Sequence, residues 1–220
     1  METDVREYEV SVILTLYNSK ETFKRALNSV LAQTYKNFEL IIVDDGSTDG
    51  IEIEILPAVK ENNNFKYIRH SNRKHPLSLN TGIVNSSGKF ITFLDSDDEY
   101  KSSHLEERVN FFLMNPDADL VHSPATIIGN ENDLLVPDAN DISKMIHIND
   151  CIIGGTFFGK KKIFEELNGF RDVYSHDSEF YKRALTRVNV KFFNSPTYIY
   201  YRNNPGSLIN KFKEKLNEIK

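Results

Sequence analysis

The chain is poor in sulfur: its 220 residues hold a single cysteine, Cys151. One thiol closes no internal disulfide and builds no metal–thiolate cluster, and it fits a reducing cytoplasm. Its expected role is that of a small buried apolar residue rather than a nucleophile. Positive charge is also not in excess. Twenty-seven Lys and Arg face 32 Asp and Glu, for a net charge of −5. That balance argues against a general nucleic-acid binder, which carries a basic face. The acidic segment from Met1 to Glu9 lacks the apolar core of a signal peptide. No apolar run approaches the length needed to cross a bilayer. The expectation is a cytoplasmic protein whose only membrane contact, if any, is peripheral at the inner face, through a C-terminal helix. Repeats and low-complexity segments are absent.

What is present is ordinary globular composition, 40% hydrophobic and 27% charged. Val10–Leu14 reads as a strand, and Glu21–Gln33 as an amphipathic helix with Phe23, Ala26, Leu27, Val30 and Leu31 on one face. The apolar run Phe38–Val43 reads as a second strand, so the three form a βαβ unit with parallel pairing. Further on, Asp49–Asn64 reads as a helix interrupted by Pro57, Phe65–Arg69 as a strand, and Pro76–Asn85 as a helix. Phe90–Leu94 is an apolar strand, and Ser103–Met114 a helix stopped by Asn115-Pro116. Leu120–Ile128 suggests one or two short strands, and Gly129–Asp150 a polar loop over the face of the sheet. Helices are expected at Lys161–Leu167 and Asp177–Arg187, strands at Val190–Phe193 and Tyr198–Tyr201, and a helical tail from Ser207 to Lys220. The tail places Leu208, Phe212, Leu216 and Ile219 opposite Lys211, Lys213, Lys215 and Lys220. The expected architecture is one α/β domain, 1–220, with a Rossmann-like, mostly parallel sheet flanked by helices.

Two acidic clusters stand where buried strands end: Asp44-Asp45-Gly46-Ser47-Thr48-Asp49 and Asp95-Ser96-Asp97-Asp98. Open α/β sheets bind ligands at the carboxyl ends of their strands. Carboxylates two residues apart in a turn suit a hard divalent cation such as Mg²⁺ or Mn²⁺. An acid after an earlier strand can accept from a ribose hydroxyl or a base N–H. Each cluster has a plainer reading as well, as turn and helix-cap chemistry. His70, His75, His104, His122 and His147 show no spacing that demands a metal; His75 is the mild exception, in a loop near the expected ligand site.

Four segments in order, Val12–Asn18, Leu27–Tyr35, Ile42–Asp49 and Phe93–Asp98, resemble the N-terminal half of the family 2 inverting glycosyltransferases, which have the GT-A fold. Thinner likenesses follow at Leu167–Phe170, His176-Asp177, Phe180–Arg187 and Tyr200–Arg202 with Ser207. The resemblance implies a nucleotide-sugar-binding half, 1–100, and an acceptor-binding and catalytic-base half, 101–220. It implies sugar transfer from a nucleoside diphosphate sugar, UDP-linked first, to the hydroxyl of a carbohydrate or lipid-linked acceptor in surface polysaccharide or glycoconjugate synthesis. The donor would be held by Thr15, Tyr17, Asn18, Asp44, Asp45, Asn72, Asn80, Asp95 and Ser96. Asp95, Asp97 and Asn204 would hold Mn²⁺ or Mg²⁺. Asp177 would be the general base, with Glu179 the alternative carboxylate, although a charged residue opening a helix is also an ordinary feature.

The chain departs from the family pattern at several places. Thr15 replaces a usual Pro, Leu79 an arginine that would face the diphosphate, His176 a Glu and Asn204 a His. Lys74 stands where the preceding loop has a Gly, leaving Arg73 and Lys74 as basic substitutes. Two other readings stand beside the transferase: a degenerate nucleotide-sugar-binding domain, and a sugar nucleotidyltransferase. The latter is disfavoured because Thr15–Ser19 is no Gly-rich phosphate loop.

Overall fold

A computed structural model describes residues 8–204, 206–207 and 209–213. The chain opens as strand β1 (Val10–Leu16), helix α1 (Lys20–Leu31), β2 (Phe38–Asp44), α2 (Glu52–Glu61), β3 (Phe65–Arg69), α3 (His75–Asn85) and β4 (Phe90–Asp95). The short strand β5 (Glu99–Tyr100) and helix α4 (His104–Met114) follow, then β6 (Leu120–His122) and β7 (Ala125–Ile128). The C-terminal portion holds β8 (Leu135–Pro137), β9 (Met145–His147), β10 (Phe158–Lys160), α5 (Lys161–Glu166), α6 (His176–Leu185), β11 (Val190–Phe192) and β12 (Tyr198–Tyr201).

Seven strands form the main sheet in the order β11-β6-β10-β4-β1-β2-β3. β3, β2, β1 and β4 are parallel, β10 runs antiparallel between β4 and β6, and β11 is parallel to β6. Every residue of β1 and β2 is buried, which explains their near-continuous apolar runs. Their period of two splits the core. Val12, Leu14, Leu40 and Ile42 face α1, α2 and α4; Ile13, Ile41 and Val43 face α3, α5 and α6. Four polar residues interrupt these runs, Ser11 and Thr15 in β1 and Glu39 and Asp44 in β2. Ser11 Oγ donates to Glu39 Oε1 at 2.6 Å, Ser87 donates to the same oxygen, and Lys66 pairs with Oε2 at 2.7 Å. Burial raises the Glu39 pKa, but these donors outweigh it and hold the carboxyl below its ordinary value.

Pro57 leaves α2 intact. The bond it removes belongs to the carbonyl of Ile53, a residue 71% exposed on the outer face of the helix. Three pieces were not foreseen from sequence. β10 carries only three residues, too few for a periodic signal. β5, β12 and β7 make a second sheet, and β8 pairs with β9 as an antiparallel hairpin where a loop was expected. Residues 209–213 are helical, with Phe212 stacked on Tyr174 at 4.2 Å. The remainder of the expected tail helix, including Leu208, Lys215, Leu216, Ile219 and Lys220, lies outside the described residues. Among the described residues no helix is long and apolar enough to cross a membrane.

Register decides where the acids go. Leu16 pairs with Asp44, and Thr15 with Asp95, so β1, β2 and β4 end in one row. The order of the parallel strands reverses between β1 and β4, which is where open sheets form a ligand crevice.

Candidate active site

The first acidic cluster is built into two interlocked turns. Asn18, in the left-handed region at φ 49°, accepts from Thr48 N at 2.7 Å while its own N–H donates to Ser47 Oγ at 2.9 Å. Gly46 has φ 82°, and a Cβ there would lie 3.0 Å from Asn72 N, so the loop bearing Asn72 packs on a position only glycine suits. Asp44 is fully buried and spends both oxygens on the protein. Oδ1 accepts from Ser47 N at 2.8 Å, Oδ2 from the Tyr67 hydroxyl at 2.8 Å, and Arg69 Nε lies 3.6 Å from Oδ2. Asp45 anchors the following loop by accepting from Arg73 N at 2.6 Å, with His70 Nδ1 at 3.3 Å. Tyr17 projects outward, 47% exposed.

In the second cluster three aspartates diverge. Asp98 is fully buried and ties β12 to the turn, accepting from the Tyr198 hydroxyl at 2.5 Å and Tyr201 N at 2.8 Å. Asp95 Oδ1 lies 2.8 Å from His75 Nε2. Burial raises its pKa, but His75 outweighs that and keeps the carboxyl below the usual range, with His176 adding to the effect. Asp97 shows the opposite balance: burial and the charge of Asp95 push it up. Its carbonyl accepts from Arg25, whose guanidinium lies 3.6 Å over the Tyr201 ring. Ser96 Oγ donates to Ser19 Oγ at 2.7 Å, joining this turn to the start of α1.

Asp177 enters from the other side of the crevice. Ser175, at φ 51°, caps α6, and Asp177 is the second helical residue, not the cap. Its Oδ1 accepts from Ser178 N at 2.8 Å and Ser175 Oγ at 3.1 Å, and its Oδ2 from Gly154 N at 3.2 Å. The His176 ring packs at 5.1 Å against His75 and at 5.7 Å against Phe170. Burial lowers the His75 pKa, but Asp95 outweighs it and raises it overall, with Asp177 and Asp97 contributing in the same direction. The carboxylates of Asp95, Asp97 and Asp177 therefore act on one histidine.

The same geometry tests a divalent cation. Asp95 and Asp97 are hard oxygen donors whose mutual repulsion raises Asp97, and such a pair fits Mg²⁺ or Mn²⁺. Asn204 does not fit as it stands. Its Nδ2 donates to Asp97 Oδ2 at 2.8 Å, and its oxygen accepts from Gly206 N at 3.0 Å. Asn80, expected at the donor, turns its carboxamide to the backbone of Phe170 with two bonds of 2.8 Å. Leu79 is 3% exposed, in the cluster of Ile13 and Phe93. Lys74 pairs with Asp172 at 2.6 Å, and Arg73 lines an open groove of about 350 Å³ along α3. Cys151 is half-buried, and burial with the nearby Asp177 pushes its thiol up to about 11, which makes it a poor nucleophile.

The family model for glycosyl transferase family 2 matches residues 11–202. The chain belongs to that family. A Rickettsia prowazekii glycosyltransferase is 30% identical over 222 residues, covering 95% of this chain and 68% of the relative. The Escherichia coli UDP-Glc:alpha-D-GlcNAc-diphosphoundecaprenol beta-1,3-glucosyltransferase WfgD is 29% identical over 94% of this chain and 83% of its own length. A Rickettsia conorii glycosyltransferase is 40% identical over 111 residues, but the chain spans only 18% of that relative's length. Among solved structures, S. aureus TarS in complex with UDP-GlcNAc aligns with TM-score 0.73 at 20% identity, over 89% of this chain and 59% of that one. A Pyrobaculum calidifontis mannosyltransferase with GDP-Man and Mn²⁺ aligns with TM-score 0.69 at 17% identity, over 95% and 61%. At these identities the likeness is one of fold: the GT-A arrangement of a mostly parallel sheet flanked by helices.

In this family 2 chain, sequence reasoning missed two participants and gave a third little weight. Arg25 sits in an amphipathic helix with nothing to set it apart. Gly154 lies in a short 3₁₀ turn without a motif. His75 carried only its loop position as a signal.

Proposed function

We propose that this chain moves a sugar from a nucleoside diphosphate sugar, UDP-linked first, to an acceptor hydroxyl with inversion at the anomeric carbon. The observation that supports the reading is that Asp95, Asp97 and Asp177 all act on His75, with Asp95 at the carboxyl end of β4 beside β1. Asp177 accepts the acceptor's proton as the hydroxyl oxygen attacks the anomeric carbon. The bond from that carbon to the diphosphate oxygen breaks on the opposite face, and the nucleoside diphosphate leaves. Asp97 and Asp95 would hold a divalent cation, which when bound neutralises charge on the departing diphosphate. Asp45, Thr15, Tyr17 and Asn72 line the nucleoside end, while Asp44, Asn18 and Ser96 hold the turns that present them. Residues 1–100 then serve the donor and 101–220 the acceptor and base. The lipid-linked substrate printed in the name of the WfgD relative supports a lipid-linked acceptor and a role in surface polysaccharide or glycoconjugate synthesis, at the cytoplasmic face of a membrane.

Thermal shift against UDP, GDP, TDP and CMP with Mn²⁺ or Mg²⁺ tests the donor class, because a nucleotide that binds only the folded state raises the melting temperature. Stabilisation by UDP with metal, together with UDP release from a UDP-sugar, supports the reading; no stabilisation by any of the four removes it. Asn204, with its nitrogen toward Asp97, favours a second reading as a nucleotide-sugar-binding domain without catalysis. Nucleotide binding with no turnover of any sugar donor would establish that reading instead.

A further inference from the structure

The His75–Asp95 contact differs from those of the turn-holding Asp44 and Asp98. Asp44 and Asp98 give both oxygens to protein donors, whereas Asp95 gives Oδ1 to His75 Nε2 and its side chain stays 37% exposed. An ionised carboxylate only accepts, so Nε2 carries the proton. The imidazole is fixed from behind in a chain of contacts. Asn80 grips Phe170, Phe170 packs on His176, and His176 packs edge-on against His75 at 5.1 Å. Pro76, in the first turn of α3, fixes the backbone beside it. Retaining the ring has a cost, since its Nδ1 is buried with no partner among the described residues. A smaller or apolar residue would avoid that cost.

We propose that His75 is a positioning residue that restricts Asp95 to binding through one oxygen and so makes the site select Mg²⁺ or Mn²⁺ over Ca²⁺. The inference rests on the metal-assisted transferase reading. Ca²⁺ takes six to eight oxygens and readily accepts both oxygens of one carboxylate. Mg²⁺ demands a near-octahedral shell of single oxygens. With Oδ1 occupied by the Nε2–H, Asp95 meets the second requirement and fails the first. Loss of the imidazole frees Oδ1 and lets the carboxylate turn.

The test is titration calorimetry of UDP into the full chain with saturating Mg²⁺, Mn²⁺ or Ca²⁺, for wild type, His75→Ala and His75→Gln. In the wild type, UDP binds more tightly with Mg²⁺ or Mn²⁺ than with Ca²⁺. His75→Ala shrinks that ratio roughly tenfold, the scale of one charge-assisted hydrogen bond. His75→Gln, which keeps an N–H near the Nε2 position, restores most of it. A purely structural role would weaken all three affinities together and leave the ratio unchanged; that result, or a Gln variant no better than Ala, overturns the proposal. A wild type that binds UDP equally well with and without any metal removes the metal reading itself, and this inference with it.

Discussion

The backbone N–H of Gly154 donates to Asp177 Oδ2 at 3.2 Å, across 23 residues of chain. A Cβ on Gly154 would stand 3.0 Å from the Asp177 Cβ. The turn that holds the proposed base therefore leaves no slack for a larger residue. Gly154→Ala is expected to displace the carboxylate by a few tenths of an ångström and lower kcat about tenfold with little change in donor affinity. Asp177→Asn removes the proton acceptor, and transfer should fall by about 10²–10⁴ while UDP binding persists. Steady-state kinetics beside calorimetry separates the two effects. An active Asp177→Asn enzyme would remove Asp177 as the base.

Asn80 is expected to act on stability and not on the nucleotide. Asn80→Ala loses both bonds to Phe170 and should cost on the order of 1–3 kcal/mol in denaturant unfolding. UDP affinity of the folded fraction should stay near wild type. Gly169→Ala should be at least as harmful, because φ is +60° there and the new Cβ would fall 2.1 Å from Asn80 Oδ1. A large loss of UDP affinity in a fully folded Asn80→Ala protein would return Asn80 to the donor.

The parallel layer was legible because β1, β2 and β4 are buried on both faces, and such strands leave continuous apolar runs ended by Asp. The expected strand Phe65–Arg69 coincides with β3, and most helix ends fall within a few residues of expectation. β10 was invisible because three residues containing Gly159 carry no period. The β8–β9 hairpin was invisible because its strands are short and partly exposed. At the site, sequence named Asp95, Asp97 and Asp177, yet it could not tell which acids serve the turns. Asp44 and Asp98 take their turn-holding role largely from Tyr67, Arg69, Tyr198 and Tyr201, residues distant in the chain. Leu79, read as a missing arginine, belongs to the core.

Acid should destabilise the fold through two histidines. Burial and the neighbouring His75 hold His176 at about 4, below its ordinary 6.5. Burial and Arg108 hold His104 well below the same value. For both, the unfolded chain takes up a proton first as pH falls, so their contribution is full above pH 6.5 and is lost progressively toward the folded-state values. The melting temperature is expected to fall between pH 6.5 and about 4. His176→Gln should flatten that slope, and an unchanged slope would show that His176 is not held neutral in the folded protein.

Asp97 and Asp98, adjacent in sequence, should separate cleanly. Asp98→Ala strips the Tyr198 hydroxyl and the Tyr201 N–H of their acceptor inside the protein and should cost about 2–4 kcal/mol in stability. Asp97→Ala removes, among the described residues, only the Asn204 contact from its side chain, and should leave the melting temperature within about 2–4 °C of wild type.

The most direct test of the account is titration calorimetry of UDP with Mn²⁺ into wild type and Asp97→Ala at matched fold content. The account predicts metal-dependent UDP binding in the wild type, weakened at least about tenfold in Asp97→Ala. Equal binding by the two proteins, or no nucleoside diphosphate bound by the wild type under any metal, would contradict it.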